Sequence, residues 1–234
     1  MKVDTLQKRL HHLADRKKAE VLRRFFKTGP GEYAEGDVFI GLTVPQLRKL
    51  AGEYLHISRV QLERLITSPV HEERMLALLV LLGRYRKGGE EERKEIHAFY
   101  LDHRRFVNNW DLVDLSAPQI VGDFLLNRNR KLLRTLARSS SLWERRIAVV
   151  ATFAFIKQGQ FSDTLAIAER LLSDKEDLIH KAVGWMLREV GKRDLDAEEH
   201  FLKAHCRNMP RTMLRYAIEK LAPSKRKLYL DGKV

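Results

Sequence analysis

Apolar residues recur every three or four positions along most of the chain, and no stretch alternates apolar and polar residues as a half-buried β-strand does. Only 6 prolines and 13 glycines interrupt this pattern. The spacing predicts helices in the segments 46–55, 75–85, 120–127, 136–156 and 178–192. Turn signals are found at 28–37, 87–90, 139–140, 159–160 and 192–194.

The predicted helices fall into units of roughly 35–45 residues, which is the length range of HEAT-like repeats. Sequence identity between these units is weak, so the units are inferred from helix spacing. We therefore expect an all-α fold, a HEAT-like α-α superhelix. Such a fold is a curved solenoid of antiparallel helix pairs, here forming a single domain over residues 1–234.

The charge balance points to an anionic partner. The 44 lysines and arginines exceed the 31 aspartates and glutamates, which gives a net charge of +13. An excess of this size predicts a polyanionic partner or an anionic surface, and it is shared by nucleic-acid enzymes and ribosome-associated proteins. The charged N-terminus has no apolar signal core, and no apolar segment reaches membrane-spanning length. We expect a cytoplasmic protein.

Several kinds of chemistry lack their sequence signatures. The chain has no GxGxxG or GxxxxGK[ST] phosphate loop and no GxSxG nucleophile elbow. None of the 9 histidines forms HExxH or another tight metal pattern, and we interpret them as ordinary polar or core residues. Cys206 is the only cysteine, so an intrachain disulfide is excluded and a small buried thiol is expected. No metal and no cofactor are expected.

The segment from Leu142 to Ile156 is apolar on nearly every side, which predicts a helix buried between neighbours. Its first turn nevertheless carries Arg145 and Arg146, and cations at that end oppose the helix dipole. Two interpretations remain open. The arginines either pair with acidic neighbours or, together with free backbone N–H groups, bind an anion such as a phosphate.

A second helix, predicted over 176–191, has two different sides. One side is apolar and consists of Ile179, Val183, Met186, Leu187 and Val190. The opposite side carries Lys181, Trp185 and Arg188, which form either a second buried face or a stacking and cation–π surface for a nucleic acid. Gly184 lowers helix stability and is expected to permit a close approach by another segment.

The segment VNNWDLVDLSAP, residues 107–118, combines helix caps with an indole and carboxylates. Asn108 and Asn109 are good caps, and Trp110 and Asp114 are four residues apart on one helix face. Pro118 is expected to kink or break the helix. An indole beside a carboxylate at such an irregularity can hold a cation. The alternative is a core tryptophan beside an aspartate that is paired with an arginine.

Three segments in order carry a family resemblance: VNNWDLVD at 107–114, SLWERRIAV at 141–149 and KAVGWMLRE at 181–189. GLTVPQLRKLA at 41–51 is a weaker marker. Over roughly residues 20–220 the chain resembles the DNA alkylation repair glycosylases of the AlkD type, which are built from HEAT-like repeats. The resemblance implies a monomer of the bacterial cytosol or nucleoid that acts on double-stranded DNA containing alkylated bases.

The resemblance also implies site residues. Asp114 matches the catalytic aspartate, and Trp110 and Trp185 match the two tryptophans that flank the lesion nucleotide. Arg146 and Arg48 correspond to contacts with the DNA backbone.

Further DNA contacts are predicted at Arg145, Lys181 and Arg188. Phe25 stands where the family archetype has a tyrosine, so a hydroxyl contact is expected to be missing. Relatives that lose the Asp, Trp and Arg set are non-catalytic, and this chain keeps that set.

The implied activity is excision of positively charged alkylated purines, such as N3-methyladenine and N7-methylguanine, without base flipping. Two alternatives use the same scaffold. One is a non-catalytic repeat protein that binds particular DNA structures, and the other is a HEAT-like module that binds acidic peptide segments. A repeat scaffold hosts many functions, so the residues decide between these alternatives.

Overall fold

The structure is a computed structural model that describes residues 3–234, with side chains described from Leu6 onwards. Helices make up most of the described chain, and the longest connection between them covers residues 26–43. The only β-type pairing in the described range is an isolated parallel bridge between Val38 and Val70. The all-α prediction is confirmed. Within the described range, no helix is both long enough and apolar enough to cross a membrane. Two compact units are distinguished, 1–112 and 113–234, and the expectation of a single domain stays a prediction.

In its described part, residues 3–112, the first unit contains six complete helices and the start of a seventh. These are α1 Val3–His12, α2 Arg16–Phe25, α3 Val44–Glu53, α4 Arg59–Ile66, α5 His71–Lys87, α6 Glu90–Asp102 and the beginning of α7 Trp110–Ala117. A short 3₁₀ turn, Arg104–Phe106, precedes α7.

Helix α5 is the centre of this first unit. Its residues are buried from His71 to Leu82 and again at Tyr85, because α3, α4 and α6 pack around it. The predicted helix over 75–85 is therefore confirmed and extends at both ends. The buried first turn is polar, with His71, Glu72, Glu73 and Arg74, and each of these side chains needs a partner inside the protein.

The second unit continues from α7. It contains a π-helical turn Pro118–Asp123, α8 Lys131–Leu136, α9 Leu142–Ala151, α10 Phe153–Ile156, α11 Ser162–Arg170, α12 Asp177–Gly191, α13 Leu195–His205, α14 Arg211–Ala217, a 3₁₀ turn Ile218–Lys220 and α15 Pro223–Leu230. Cys206, at the end of α13, is buried as expected.

Two helix interruptions in this unit have local causes. Helix α7 ends at Ala117, and Pro118 begins the π-helical turn, so the predicted break at the proline is confirmed. The predicted helix over 136–156 is wrong at its start, because α8 ends at Leu136 and residues 137–141 are not helical, and the remainder is divided into α9 and α10. At this division, the Thr152 hydroxyl donates a hydrogen bond to the carbonyl oxygen of Val149, 2.6 Å away.

Helix α12 packs most closely against α14. Its predicted apolar side is completely buried, and Gly184 lies against the backbone of α14. A Cβ atom at Gly184 would lie 2.4 Å from the carbonyl oxygen of Met213 and 2.5 Å from Cβ of Tyr216. The close approach expected at this glycine is therefore confirmed, and only a residue without a side chain permits it.

We predict that Gly184→Ala lowers the free energy of unfolding by about 1–3 kcal/mol, because the added methyl group forces α12 and α14 apart. Thermal and urea unfolding followed by circular dichroism measure the effect. Gly52→Ala in α3 is the matched control, since no atom lies within 4 Å of its new Cβ position. There alanine is expected to raise stability by about 0.5–1 kcal/mol. Equal stability of Gly184→Ala and the wild type would contradict the packing argument.

A buried carboxyl group in α13 makes stability depend on pH. Burial and the neighbouring Glu199 carboxylate raise the pKa of Glu198 to about 8, against the opposing effect of Arg188. Because this pKa is higher in the folded than in the unfolded chain, the stabilising contribution is complete at low pH and is lost as pH rises through about 8.

We therefore predict that Glu198→Gln raises Tm at pH 9 and changes it little at pH 5. Thermal unfolding at pH values between 5 and 9 measures the difference. Glu169→Gln, at an exposed position in α11, is the control and should follow the wild-type pH dependence. Parallel curves for the wild type and Glu198→Gln would show that Glu198 does not titrate in this range.

Candidate functional site

Asp114 and Arg146 form an ion pair in the second unit. Arg146 Nε donates to Oδ1 of Asp114 at 2.9 Å, and Nη2 donates to Oδ2 at 2.8 Å. The third nitrogen, Nη1, donates to the carbonyl oxygen of Leu178. The Asp114 side chain is 20% exposed, whereas that of Arg146 is 6% exposed. The pair thus joins α7 to the first turn of α9 and leaves part of the aspartate accessible.

This geometry has a chemical consequence for Asp114. Two parallel N–H donors of a guanidinium match the two oxygens of an ionised carboxylate. The arrangement therefore holds a negative charge in a fixed orientation at a partly exposed position. For Arg146, it corresponds to the first of the two interpretations left open by the sequence, pairing with an acidic neighbour.

Arg145 follows the same pattern with a different partner. Its Nε and Nη2 donate to Asp174 at 2.6 Å and 3.2 Å, and its Nη1 donates to the carbonyl oxygens of Ser139 and Ser140. These bonds fix the turn before α9 to the loop before α12. The predicted DNA contact at Arg145 would have to compete with all of them.

Trp185 lies on the side of α12 opposite the buried stripe. It is half-buried, and its ring centroid is 6.0 Å from that of Phe153. Lys181 and Arg188 are also half-buried, so the two different sides expected for this helix are confirmed. Lys181 Nζ lies 2.8 Å from Oδ2 of Asp177, and Arg188 pairs with Glu219. Such partly exposed pairs contribute little energy and can exchange partners.

Trp110 is held by aromatic side chains of the first unit. Its ring stacks on Phe26 with centroids 5.4 Å apart and meets Phe25 edge-on at 6.0 Å. The indole Nε1 donates to the hydroxyl oxygen of Tyr33 at 3.3 Å. Trp110 is half-buried, whereas the Phe25 ring is 61% exposed. Phe25 therefore lacks a hydroxyl but contributes an exposed ring beside the indole.

Arg48 is exposed on α3 and belongs to a cluster of cations in the first unit. Together with Arg86 and Lys87 it lines a surface cavity of about 310 Å³. Arg86 and Lys87 were not among the predicted DNA contacts. Their sequence signal is the basic last turn of α5, and this signal is weak because the helix dipole favours cations at the C-terminal end of any helix.

Sequence reasoning also missed a buried ionic network in the first unit. His71 Nδ1 lies 3.2 Å from Oδ2 of Asp37, and its Nε2 lies 2.9 Å from Oδ2 of Asp111. Arg74 Nη2 donates to Oδ1 of Asp37 at 2.6 Å, and Nδ2 of Asn109 donates to Oδ2 at 3.3 Å. The sequence signal for this network is the polar first turn of α5, which precedes a long apolar stretch. Among residues 3–234, no group of three or more histidine, cysteine or acidic side chains is arranged to hold a metal ion.

The comparison that decides the family is the match of residues 6–221 to the family described as DNA alkylation repair enzyme. The chain belongs to this family. The match covers nearly the whole chain and includes every predicted site residue, so the resemblance expected from the motifs is confirmed.

Two solved structures share the fold of this DNA alkylation repair family member. A predicted DNA alkylation repair enzyme from Enterococcus faecalis is 18% identical, with a TM-score of 0.68, covering 90% of this chain and 97% of that chain. AlkD2 from Streptococcus mutans is 20% identical, with a TM-score of 0.52, covering 95% and 100%. No curated protein matches the sequence. At these identities the likeness establishes the fold, an all-helical repeat fold of the AlkD type.

We predict that Arg146→Ala lowers the free energy of unfolding by about 2–3 kcal/mol, because the ionised Asp114 loses its partner. In a double-mutant cycle, Asp114→Ala should cost much less in the Arg146→Ala background than in the wild type. Urea unfolding measures both. The cycle formed by Arg145→Ala and Asp174→Ala is the matched comparison for a second ion pair on α9.

The same Arg146→Ala variant tests the DNA contact predicted from the resemblance. A phosphate contact would make the variant bind all DNA sequences more weakly, with a smaller dependence on salt. If the two stability effects are additive and the variant also shows a reduced salt dependence of DNA binding, then Arg146 contacts DNA and does not stabilise Asp114.

Proposed function

We propose that this protein is a DNA glycosylase that excises positively charged alkylated purines, of the N3-methyladenine and N7-methylguanine type, from double-stranded DNA. Its membership of the DNA alkylation repair enzyme family and its net charge of +13 support this reaction and this partner. The observation that carries the proposal is the ionised, partly exposed Asp114, fixed in orientation by Arg146.

The substrate makes this chemistry accessible to one carboxylate. An N3- or N7-alkylated purine already carries a positive charge. When the C1′–N bond breaks, both bonding electrons move to the base, which leaves neutral and needs no general acid. The positive charge is then on the sugar, as an oxocarbenium ion. Water adds to C1′ and releases a proton, leaving an abasic site.

Asp114 is the proposed catalytic residue, because a fixed negative charge close to C1′ stabilises the developing cation. A single preorganised electrostatic group is typically worth about 3–4 kcal/mol, or about 10²–10³ in rate. The bond to be broken is already weak, so a contribution of this size is enough for useful acceleration. Arg146 prevents the carboxylate from turning away.

The remaining predicted residues are proposed to hold the DNA. Trp185 in the second unit and Trp110 in the first present half-buried indoles, whose faces attract a cationic nucleotide. Arg48, Lys181 and Arg188 are proposed to contact phosphates, which gives affinity independent of sequence. The family resemblance supports a further feature, excision with the base still stacked in the duplex. Selectivity would then come from the charge and lability of the lesion.

A non-catalytic protein that binds particular DNA structures is the second candidate. The observation in its favour is that both Asp114 oxygens already accept bonds from a buried arginine. On this hypothesis the ion pair serves only stability, and the protein binds bent or branched DNA without releasing bases.

We predict that Asp114→Asn lowers base excision by about 10²–10³ and changes duplex affinity by less than about twofold. Excision is measured by incubating the protein with methylated duplex DNA and quantifying the released bases by chromatography. Affinity is measured by fluorescence anisotropy with labelled DNA.

Asp174→Asn is the matched control, since it removes a second carboxylate that is paired with an arginine of the same α9 turn. It should excise at nearly the wild-type rate. Release of bases by Asp114→Asn at the wild-type rate would remove the catalytic assignment, and absence of release by the wild type would favour the non-catalytic candidate.

A further inference from the structure

The buried network around His71 meets the first residues of α7, which carries Trp110. Asp111 accepts a bond from the imidazole, and Asn109 donates one to Asp37. His71 therefore reaches both neighbours of Trp110 in the sequence, one directly and the other through Asp37. The His71 side chain is only 3% exposed, so these bonds form away from solvent.

The geometry determines the protonation state of His71. Each ring nitrogen lies within hydrogen-bonding distance of a carboxylate oxygen, and an ionised carboxylate can only accept. Both nitrogens must then donate, which only the imidazolium form can do. With Arg74, the network contains two cations, and these balance the charges of Asp37 and Asp111.

The electrostatic balance agrees with this geometry. Burial lowers the pKa of His71, but hydrogen bonds to Asp111 and Asp37 outweigh burial and raise the pKa above its usual value. Burial likewise raises the pKa of Asp37, but His71 and Arg74 outweigh it, so the net shift is downwards. Folding therefore favours the fully charged network.

A chain of aromatic contacts runs from the same imidazole to the indole. The His71 ring stacks on Phe39 with centroids 4.5 Å apart and contacts Phe26 at 5.1 Å. Phe26 stacks in turn on both Phe39 and Trp110. The histidine thus contacts one of the rings on which Trp110 rests and also holds the turn from which Trp110 projects.

From these contacts we propose that His71 is a positioning residue for Trp110. Its imidazolium bridges Asp37 and Asp111 and fixes the start of α7, which sets the orientation of the indole. The consequence for excision rests on the proposed glycosylase function, whereas the coupling between His71 and Trp110 does not.

Loss of the His71 proton has a defined effect. A neutral ring leaves one carboxylate facing a nitrogen lone pair, and the network then carries an unbalanced negative charge. The other charged groups beside the ring, Lys18 and Glu72, line the same cavity of about 430 Å³ as His71 and Asp111. Glu72 accepts the N–H groups of residues 40–42 and is itself an acceptor, and Lys18 Nζ lies 3.1 Å from Oδ2 of Asp15. Neither side chain therefore supplies the network with a replacement donor. The start of α7 is then released.

The coupling is tested by NMR on protein labelled with ¹⁵N-tryptophan, which gives an indole N–H signal for each of the 3 tryptophans. Trp110→Phe assigns the signal of interest. In the wild type, we expect this signal to shift with pH in a transition that lies above the usual pKa of histidine. His71→Gln should abolish the transition and shift the signal at neutral pH. Asp111→Asn removes one carboxylate and should move the transition to lower pH.

His103→Gln is the matched control. His103 also stacks on a phenylalanine, Phe99 at 4.2 Å, and its Nδ1 donates to the carbonyl oxygen of the same residue. It should leave the Trp110 transition unchanged. If His71→Gln does not fold, the shift of the transition in Asp111→Asn decides the question. A Trp110 signal whose pH dependence is the same in the wild type, His71→Gln and Asp111→Asn would overturn the proposal.

The effect on the reaction is measured by single-turnover excision and by duplex affinity. Displacing a group that contacts the substrate typically lowers rates by roughly 10- to 100-fold. We expect a loss of this size in His71→Gln, a smaller loss in Asp111→Asn and none in His103→Gln. If the wild type excises bases and His71→Gln excises them at the same rate, the positioning role is refuted and the glycosylase function is not. Failure of the wild type to excise would refute the glycosylase function, and the NMR titration would still decide the coupling.

Discussion

At the starts of α5 and α9, buried charged side chains bind partners of opposite charge from other segments of the chain. A charge removed from water is costly unless it is paired and hydrogen-bonded. The first turn of α5 binds Asp37 and Asp111, and the first turn of α9 binds Asp114 and Asp174. Apolar packing buries the middle of each helix, but these directional bonds set the rotation of the first turn.

The two arginines of α9 show how one kind of interaction can serve two purposes. Arg145 and Arg146 are adjacent, and each binds a carboxylate through two nitrogens. They differ in the exposure of the acid, because the Asp174 side chain is 6% exposed and that of Asp114 is 20% exposed. A pair whose carboxylate is buried presents little negative charge to a bound molecule. A pair with one open side can also present charge to a bound molecule, which is why Asp114 is the candidate for chemistry.

Periodicity predicted part of the fold, namely α3, α5, α9 and α12 and the two sides of α12, but it named no helix at α2, α4, α6, α11 or α13. The interruption at Pro118 follows from the missing N–H group of proline. The partners of charged residues could not be predicted in this way. Arg146 and Asp114 are 32 residues apart, and His71 is 34 and 40 residues from its two acids. Periodicity predicts which face of a helix is buried, but it does not identify the residues that contact that face. The motifs suggested roles for Asp114 and Arg146 without showing that the two residues bind each other.

The ion pair limits the field of Asp114, since the positive guanidinium partly cancels the charge that a sugar cation would feel. An unpaired carboxylate would exert a stronger field, but it could rotate, and water would have to reorganise as charge developed. Preorganisation removes this reorganisation and accounts for much of electrostatic catalysis. A substrate that is already cationic needs only a modest further stabilisation. A fixed, partly neutralised carboxylate therefore suits a labile substrate and would be inadequate for a neutral, stable one.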